Sequence, residues 1–427
     1  MVAMTNLAGG AARRWRASGF YPAMQSPAMR RLLPAFAVSA IGDGMSAVAV
    51  AWLAISIAAP SDRGLLVGLA VAAYSLPGAA GLVLLARPLR GLSGKQLVAV
   101  DSVLRAVTLG LIPVLYACGV LHPWQFVALL AASSLVHAWG LSGQYTLVSE
   151  YLPPDARTAG NALLSGFGMS ALIIGPLLAG LVVAFAGAAL PVAIDAGTFA
   201  VLAAAALTAR RPARLATTPG EETAIPGVKS TGFSIIARRR ALAGLLALTV
   251  VFYFLYGPVE VALPLYVSGP LHGGAGLLGL FWTVFGIGAT AGSIVTGLVR
   301  RLPLWPTLLI GVVGWGAALL PMGLFSLTVP ALAGFAAGGL LYAPYPALSV
   351  SLFQRESPPE SLSQVLAARG AGTVLATPLG TALGGPLTAW LGAQHTLLIS
   401  AIATIALGFG ATIFSRSIRK SPAHEAQ

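Results

Sequence analysis

Charge is scarce in this chain: 9% of its 427 residues are Asp, Glu, Lys or Arg, and only 12 are acidic. A soluble domain usually devotes about 25% of its residues to charge, so a water-covered surface of this length is excluded. Cysteine is scarcer still. The single Cys118 rules out a disulfide or a cysteine-based metal framework within the chain. No Gly-Lys-Ser/Thr phosphate loop occurs, so ATP drive from within the chain is not expected. No His, Cys and carboxylate residues stand at metal-ligand spacing. Neither an enzyme, a catalytic residue, a metal nor a cofactor is expected.

What is abundant is apolar length. Apolar residues make up 57% of the chain and mean hydropathy is +0.85. A bilayer core about 30 Å thick is crossed by about 20 apolar residues in a helix. The sequence predicts twelve such spans, at about 32–58, 64–86, 96–117, 124–148, 160–186, 189–209, 241–266, 274–299, 305–326, 329–353, 367–391 and 396–415. The expected fold class is an all-α membrane protein. Glycine and proline are plentiful, as membrane helices tolerate. Residues 1–31 read as a polar, basic cytoplasmic lead-in without the apolar core of a cleavable signal.

Lys and Arg outnumber Asp and Glu by 25 to 12, which in a soluble protein would suggest nucleic acid. Here the excess falls between spans, so no nucleic-acid partner is expected. Arg30 and Arg31 precede span 1, and Arg87, Arg90 and Lys95 lie between spans 2 and 3. Arg157 follows span 4, Arg210, Arg211, Arg214, Lys229, Arg238, Arg239 and Arg240 fill the central connection, and Arg300 and Arg301 join spans 8 and 9. Arg355 follows span 10, and Arg416, Arg419 and Lys420 close the chain. Every alternate connection is basic, whereas the opposite set holds only Arg63, beside Asp62. The positive-inside rule then predicts two cytoplasmic termini. Trp124 and Trp390 are expected at the outer interface and Trp305 at the inner one.

The connection 210–240 carries Pro212, Pro219, Gly220 and Pro226 among charges and reads as a flexible cytoplasmic linker. It divides a six-helix bundle at 32–209 from another at 241–415, followed by a tail at 416–427. Pro153-Pro154-Asp155 recurs as Pro358-Pro359-Glu360, and in the same register Gly175, Gly180 and Gly187 meet Gly380, Gly385 and Gly392. A parallel repeat of two six-helix halves accounts for this.

On these features, together with Ile41-Gly42-Asp43-Gly44, Asp101 to Ala106, Glu150 to Asp155, Gly175-Pro176 to Gly180 and Ala193 to Phe199, the chain resembles the major facilitator superfamily over nearly its full length. Within it, the chain looks like the bacterial drug-exporter branch of drug:proton antiporters that includes macrolide and siderophore efflux proteins. That resemblance implies a bacterial inner-membrane protein, acting as a monomer in the lipid bilayer on a small-molecule substrate and protons. It also implies a central cavity lined by spans 1, 4, 7 and 10. One departure stands out: the family's loop after span 2 carries an Asp-Arg pair, and here Gly81 is followed by Ala86-Arg87-Pro88-Leu89-Arg90 without the Asp. The basic part survives in Arg87, Arg90 and Lys95.

Ionisable groups inside the spans are the main candidates for chemistry, because a central charge costs roughly 2.5–3.5 kcal/mol on insertion scales. Asp43 lies ~16 Å into span 1, with Ser39 and Ser46 on its face. It is either a proton carrier or a buried hydrogen-bonded anchor. Glu260 has Tyr253 two turns and Tyr256 one turn before it. It either exchanges protons or pairs with a cationic guest, or it snorkels to the outer headgroups. His137, with Ser134 and Gln144 on its side of span 4, is a proton relay or a packing residue. Tyr342 and Tyr345 flank Pro344 in span 10 and offer an aromatic surface to an amphipathic guest.

Asp101 and Arg105 stand at i and i+4 on span 3 and are expected to pair, as structural or gating residues. Asp195 is expected to hold span 6 against its neighbours. Gly175, Pro176 and Gly180 offer a close-packing, bendable surface on span 5, a segment linked to exchange in the antiporters it resembles. Three functions follow: proton-coupled efflux of an amphipathic drug, antibiotic or metabolite first; uptake symport of a nutrient second; and a non-transporting membrane interaction protein third.

Overall fold

Proline and glycine decide where the long apolar runs start, stop and break. In the computed structural model, residues 26–89, 91–209, 230–298 and 303–420 are described. Arg90, Arg300, Arg301, the lead-in to residue 25, the connection 210–229 and the tail from 421 lie outside the described residues. Among the described residues every regular element is a helix. They are α1 (Met29–Ile57), α2 (Arg63–Leu84), the short α3 (Ala86–Leu89), α4 (Gly94–Ala117), α5 (Pro123–Ser134), α6 (His137–Tyr151), α7 (Pro154–Ala186) and α8 (Ala189–Thr208). After the connection come α9 (Ser230–Arg238), α10 (Arg240–Ser268), α11 (Ala275–Leu298), α12 (Leu304–Leu324), α13 (Thr328–Tyr342) and α14 (Pro344–Glu356). A 3-10 turn (Pro359–Ser361), α15 (Leu362–Val374), α16 (Ala376–Leu391) and α17 (Ala393–Lys420) complete the chain.

Eleven stretches of helix among the described residues are long and apolar enough to cross a membrane, counting α5–α6 and α13–α14 each as one. The predicted span at 367–391 is not among them, and its helix divides at Leu375 into α15 and α16. Pro378 is the cause: it has no N–H for the carbonyl four residues earlier, and its ring crowds that carbonyl. Pro344 acts in the same way at the α13–α14 break. The α5–α6 break at Leu135–Val136 has no proline near it. The end of the predicted flexible linker is also helical, since 230–238 forms α9, whose Ile236 is buried.

Local signals set several ends. Ser93 and Gln96 cap α4 reciprocally, Ser93 N–H donating to Gln96 Oε1 at 2.9 Å. Glu150, at the end of α6, accepts a further hydrogen bond from Gly94 N–H at 3.1 Å. At the other end, α7 and α16 stop at Gly187 and Gly392, with φ of 78° and 81°, a conformation that favours glycine.

Within the first eight helices α1 packs on α7 and α8, and α4 on α6 and α8. Among the later ones α10 packs on α16 and α17, α12 on α13 and α17, and α11 on α13. The two groups meet along two main seams, α2 with α16 and α7 with α11. Both seams close at the end away from the basic connections. A Cβ on Gly68 would lie 2.4 Å from Gly385 Cα, and one on Gly180 would lie 2.9 Å from Gly276 Cα. Side chains are excluded there, so the backbones touch, as small residues permit in membranes. Trp124 and Trp390 are exposed, whereas Trp305, at the start of α12, is packed against neighbouring helices.

Candidate functional site

With the seams shut at one end, a cavity of about 650 Å³ remains between the two groups of helices, a size usual for small-molecule sites. Phe36 and Ser39 of α1, Tyr74 and Ser75 of α2, Gln144 and Tyr145 of α6 and Leu164 and Ser165 of α7 line its walls toward the basic connections. Pro176, Glu260 and Trp282 lie deeper, toward the closed end. Seven of the expected residues line this space: Ser39, Asp43, His137, Gln144, Tyr256 and Glu260, with Pro176 of the close-packing set.

Asp43 is the centre of the first wall. Its Oδ1 accepts a hydrogen bond from the Tyr74 hydroxyl at 2.6 Å and is ion-paired with Arg105 Nη2, which also donates to the Tyr74 oxygen. The carboxylate side chain is 37% exposed while that of Arg105 is 1% exposed. The anion therefore faces the cavity and its cation is hidden behind it. Arg105 is further held by two rings, its Cζ lying 4.3 Å from the centre of Phe199 and 5.0 Å from that of Tyr74. A guanidinium keeps its proton in proteins, so this buried charge is permanent.

The pairing expected between Asp101 and Arg105 is not made. Arg105 reaches across to α1 instead, and Asp101 Oδ2 stands 3.3 Å from His137 Nδ1. Helical spacing brings two side chains within range, but a better-placed partner on a neighbouring helix wins. Asp101 can lie against α6 because residue 140 is glycine: a Cβ there would fall 2.1 Å from Asp101 Oδ2. Ser46 is also corrected. It is fully buried, and its hydroxyl donates to Asp195 Oδ2 at 2.5 Å, tying α1 to α8. Asp195 thus bonds α8 to α1, while Ser46 does not line the cavity. Ser134, likewise buried, donates to Ala73 O at 3.0 Å.

The second wall carries Glu260, whose Oε2 accepts a hydrogen bond from Thr381 Oγ1 at 3.2 Å. It turns into the cavity beside Tyr256 and Trp282, which corrects the snorkelling alternative. Tyr253, Tyr342 and Tyr345 do not line the space. They stack with Phe252, and Tyr345 is 1% exposed, its ring centre 4.3 Å from that of Phe252 and its hydroxyl donating to Thr249 Oγ1 at 3.1 Å. Rings from α10, α13 and α14 meet here at centroid distances of 4.3–6.0 Å, the range in which aromatic pairs attract.

The remaining candidates are distributed along the seams and helix ends. Gly81 O accepts a hydrogen bond from Trp139 Nε1 at 3.0 Å, joining α2 to α6. Arg87 stands in α3. Lys95 Nζ donates to Ala209 O at 2.8 Å, a cation at the end of α8 where the helix dipole favours one. Gly175 packs against Gly44 of α1, while Pro176 and Gly180 meet α11 at Gly279 and Gly276. Sequence reading missed Tyr74, Trp282 and Thr381, because an aromatic or hydroxyl side chain in an apolar run carries no signal of its own. It also passed over Arg369, stacked 5.7 Å above Phe353. Among the described residues no group of three His, Cys, Asp or Glu is placed to hold a metal ion.

Comparison with known proteins turns this geometry into an identity. The Major Facilitator Superfamily sequence profile matches residues 32–357. An uncharacterised MFS-type transporter of Sinorhizobium fredii, y4rN, is 25% identical over 242 residues, 55% of this chain and 58% of that protein. The match thus spans little more than half the relative's length. Among solved structures, the nucleoside transporter NupG superposes with a TM-score of 0.68 at 16% identity, covering 90% of this chain and 99% of that one. A POT family transporter in complex with a thioalcohol-conjugated peptide gives 0.68 at 12% identity, over 91% and 96% of the two chains. An inward-facing bacterial homologue of the lysosomal transporter Spinster gives 0.63 at 14%, over 93% and 98%. At such identities the likeness is one of fold. The profile match, covering most of the chain, adds the lineage: this multi-pass helical chain belongs to the Major Facilitator Superfamily.

Proposed function

We propose that the chain exports an amphipathic small molecule across a bacterial inner membrane, as a monomer, in exchange for protons. The observation that carries this reading is Asp43: an ion-paired carboxylate, backed by a buried arginine, on the wall of a cavity closed toward the non-basic end. Twelve spans, with α15–α16 as the eleventh, and cytoplasmic termini are supported by the alternation of basic connections. On that topology the cavity opens to the cytoplasm. A division into two six-helix halves, 32–209 and 241–415, is supported by Gly187 and Gly392, which end α7 and α16 in the same conformation. Their spacing in the chain is that of the internal repeat.

Alternating access then rocks the halves about the seams. A guest enters from the cytoplasm, and the seams open outward. A proton from outside neutralises Asp43, loosens its hold on Arg105, and accompanies guest release. That proton leaves to the cytoplasm before the next guest binds, which couples the fluxes. His137 and Glu260 are further proton-coupling candidates. Gly81, Arg87, Lys95, Gly175, Pro176 and Gly180 act in gating through the helix contacts they make. The drug-exporter branch fits a cavity that sets apolar and aromatic side chains beside a few charged ones, as an amphipathic guest requires.

The test is proton release from acidified inside-out vesicles during a screen of amphipathic antibiotics and metabolites. A compound that releases protons from wild-type vesicles but not from matched Asp43→Asn vesicles supports antiport. Undiminished proton release by folded Asp43→Asn removes Asp43 from the role. Uptake symport is the second reading, favoured by fold neighbours that include nucleoside and peptide transporters. The direction of flux in oriented vesicles separates the two.

A further inference from the structure

The two walls of the cavity differ in charge balance. On one, Asp43 is met by Arg105, and the pair contributes no net charge to the space. On the other, Glu260 has its hydrogen bond from Thr381 and forms no ion pair with any described Lys, Arg or His. Arg369, a cation inside a predicted span of that half, lies over Phe353 and is not among the residues lining the cavity. His137 is engaged with Asp101. An ionised Glu260 therefore gives the cavity one uncompensated negative charge. A lone carboxylate at this depth is costly to keep, and a hydroxyl from Thr381 answers only part of the cost.

The surroundings define what would answer the rest. Tyr256 stands one turn before Glu260 on α10, and Trp282 comes from α11 across the same space. Trp282 is 9% exposed, its Nε1 has no hydrogen-bond partner, and its ring is held edge-on against Phe285 and Phe335. Tyrosine and tryptophan faces attract cations, tryptophan most strongly. A carboxylate framed by such rings, with a single hydroxyl as its partner, suits a positive charge carried on an apolar body. It suits neither a sugar, which needs many hydrogen-bond partners, nor an anion.

We propose that Glu260, Tyr256 and Trp282 form a subsite for organic monocations, with the guest's ammonium or delocalised cation against the Glu260 carboxylate and its apolar body on the two rings. This names a substrate class for the transport cavity and rests on the reading of that cavity as the substrate site. It does not depend on proton coupling through Asp43.

The test is equilibrium binding, without any proton gradient, to the full-length purified protein in lipid nanodiscs. The probes are tetraphenylphosphonium and tetraphenylborate, two ions of nearly the same shape and opposite charge. Empty nanodiscs supply the partition correction. Wild type is expected to bind the cation at least about tenfold more tightly than the anion, a difference of about 1.4 kcal/mol. Glu260→Gln is expected to bring the two affinities to within about threefold, and Glu260→Asp to restore part of the preference. Thermal unfolding of each variant confirms that it is folded. Absence of saturable cation binding by wild type, equal affinities, or a preference that survives Glu260→Gln would each overturn the proposal. Loss of proton coupling in the vesicle experiment leaves this outcome untouched, so the two readings fail separately.

Discussion

Arg105 is the side chain on which the first group of helices most depends. It is fully buried, permanently charged, and held by Asp43 and two rings. Removing one member of a fully buried pair typically costs about 3–5 kcal/mol, and here the cost is smaller because the carboxylate left behind faces the cavity. Arg105→Ala is therefore expected to lower thermal stability, and adding Asp43→Asn to recover part of the loss, because the two share one interaction. Unfolding temperatures of the single and double variants in one detergent check this. Strictly additive losses would mean that the pair contributes little. At this scale the sequence showed which residues matter better than how they pair. A charge inside an apolar run is visible at once, so Asp43, Asp101, Arg105, Asp195 and Glu260 stood out. Their partners lie far along the chain: Tyr74 is 31 residues from Asp43, and Thr381 is 121 from Glu260. Nothing local marks such a pairing, and the i, i+4 rule misassigned Asp101 and Arg105 because it sees only one helix.

Among elements, length and hydropathy located the helices well, and the spans read from sequence overlap α1 through α17 nearly everywhere. The breaks were less legible. Pro344 announced one of them, and Pro378 accounts for a second only after the helix end at Leu375 is seen. The α5–α6 break left no mark that the residues reveal. The seams were partly legible: Gly180 was marked as a close-packing site, but its partner Gly276 and the Gly68–Gly385 contact depend on how the halves meet. Gly68→Leu forces those backbones apart and is expected to disfavour closure at the non-basic end. In a Cys118→Ser background, a cysteine replacing Ser39 of the cavity wall reports the shift. Its reaction with an impermeant maleimide in inside-out vesicles is expected to slow by about threefold or more, as the cytoplasm-open population falls. An unchanged rate would mean that the seam tolerates the side chain without altering the equilibrium.

Taken whole, the molecule separates two uses of charge. Basic residues gather in alternate connections, where they orient the helices in the bilayer. Acidic ones that enter the spans do so mainly among α1, α4 and α8, where Arg105 pairs with Asp43, His137 stands by Asp101 and Ser46 bonds Asp195, with Glu260 on the other half. This division makes the fold robust to sequence change in the lipid-facing positions and sensitive at a few polar ones. Substitution of exposed Val107 or Ile310 by Leu is expected to leave stability within about 0.5 kcal/mol, measured by thermal unfolding, in contrast to Arg105→Ala.

The scarcity of cysteine has a practical side as well. Cys118 is exposed and caps α4 at the end opposite its basic start. The native protein thus carries a chemical flag on one face of the membrane, placed there without engineering. On the topology proposed above, an impermeant maleimide tags the unmodified chain in right-side-out vesicles and spares it in sealed inside-out ones. The reverse pattern would invert every statement about direction, so one labelling reaction orients the whole transport cycle.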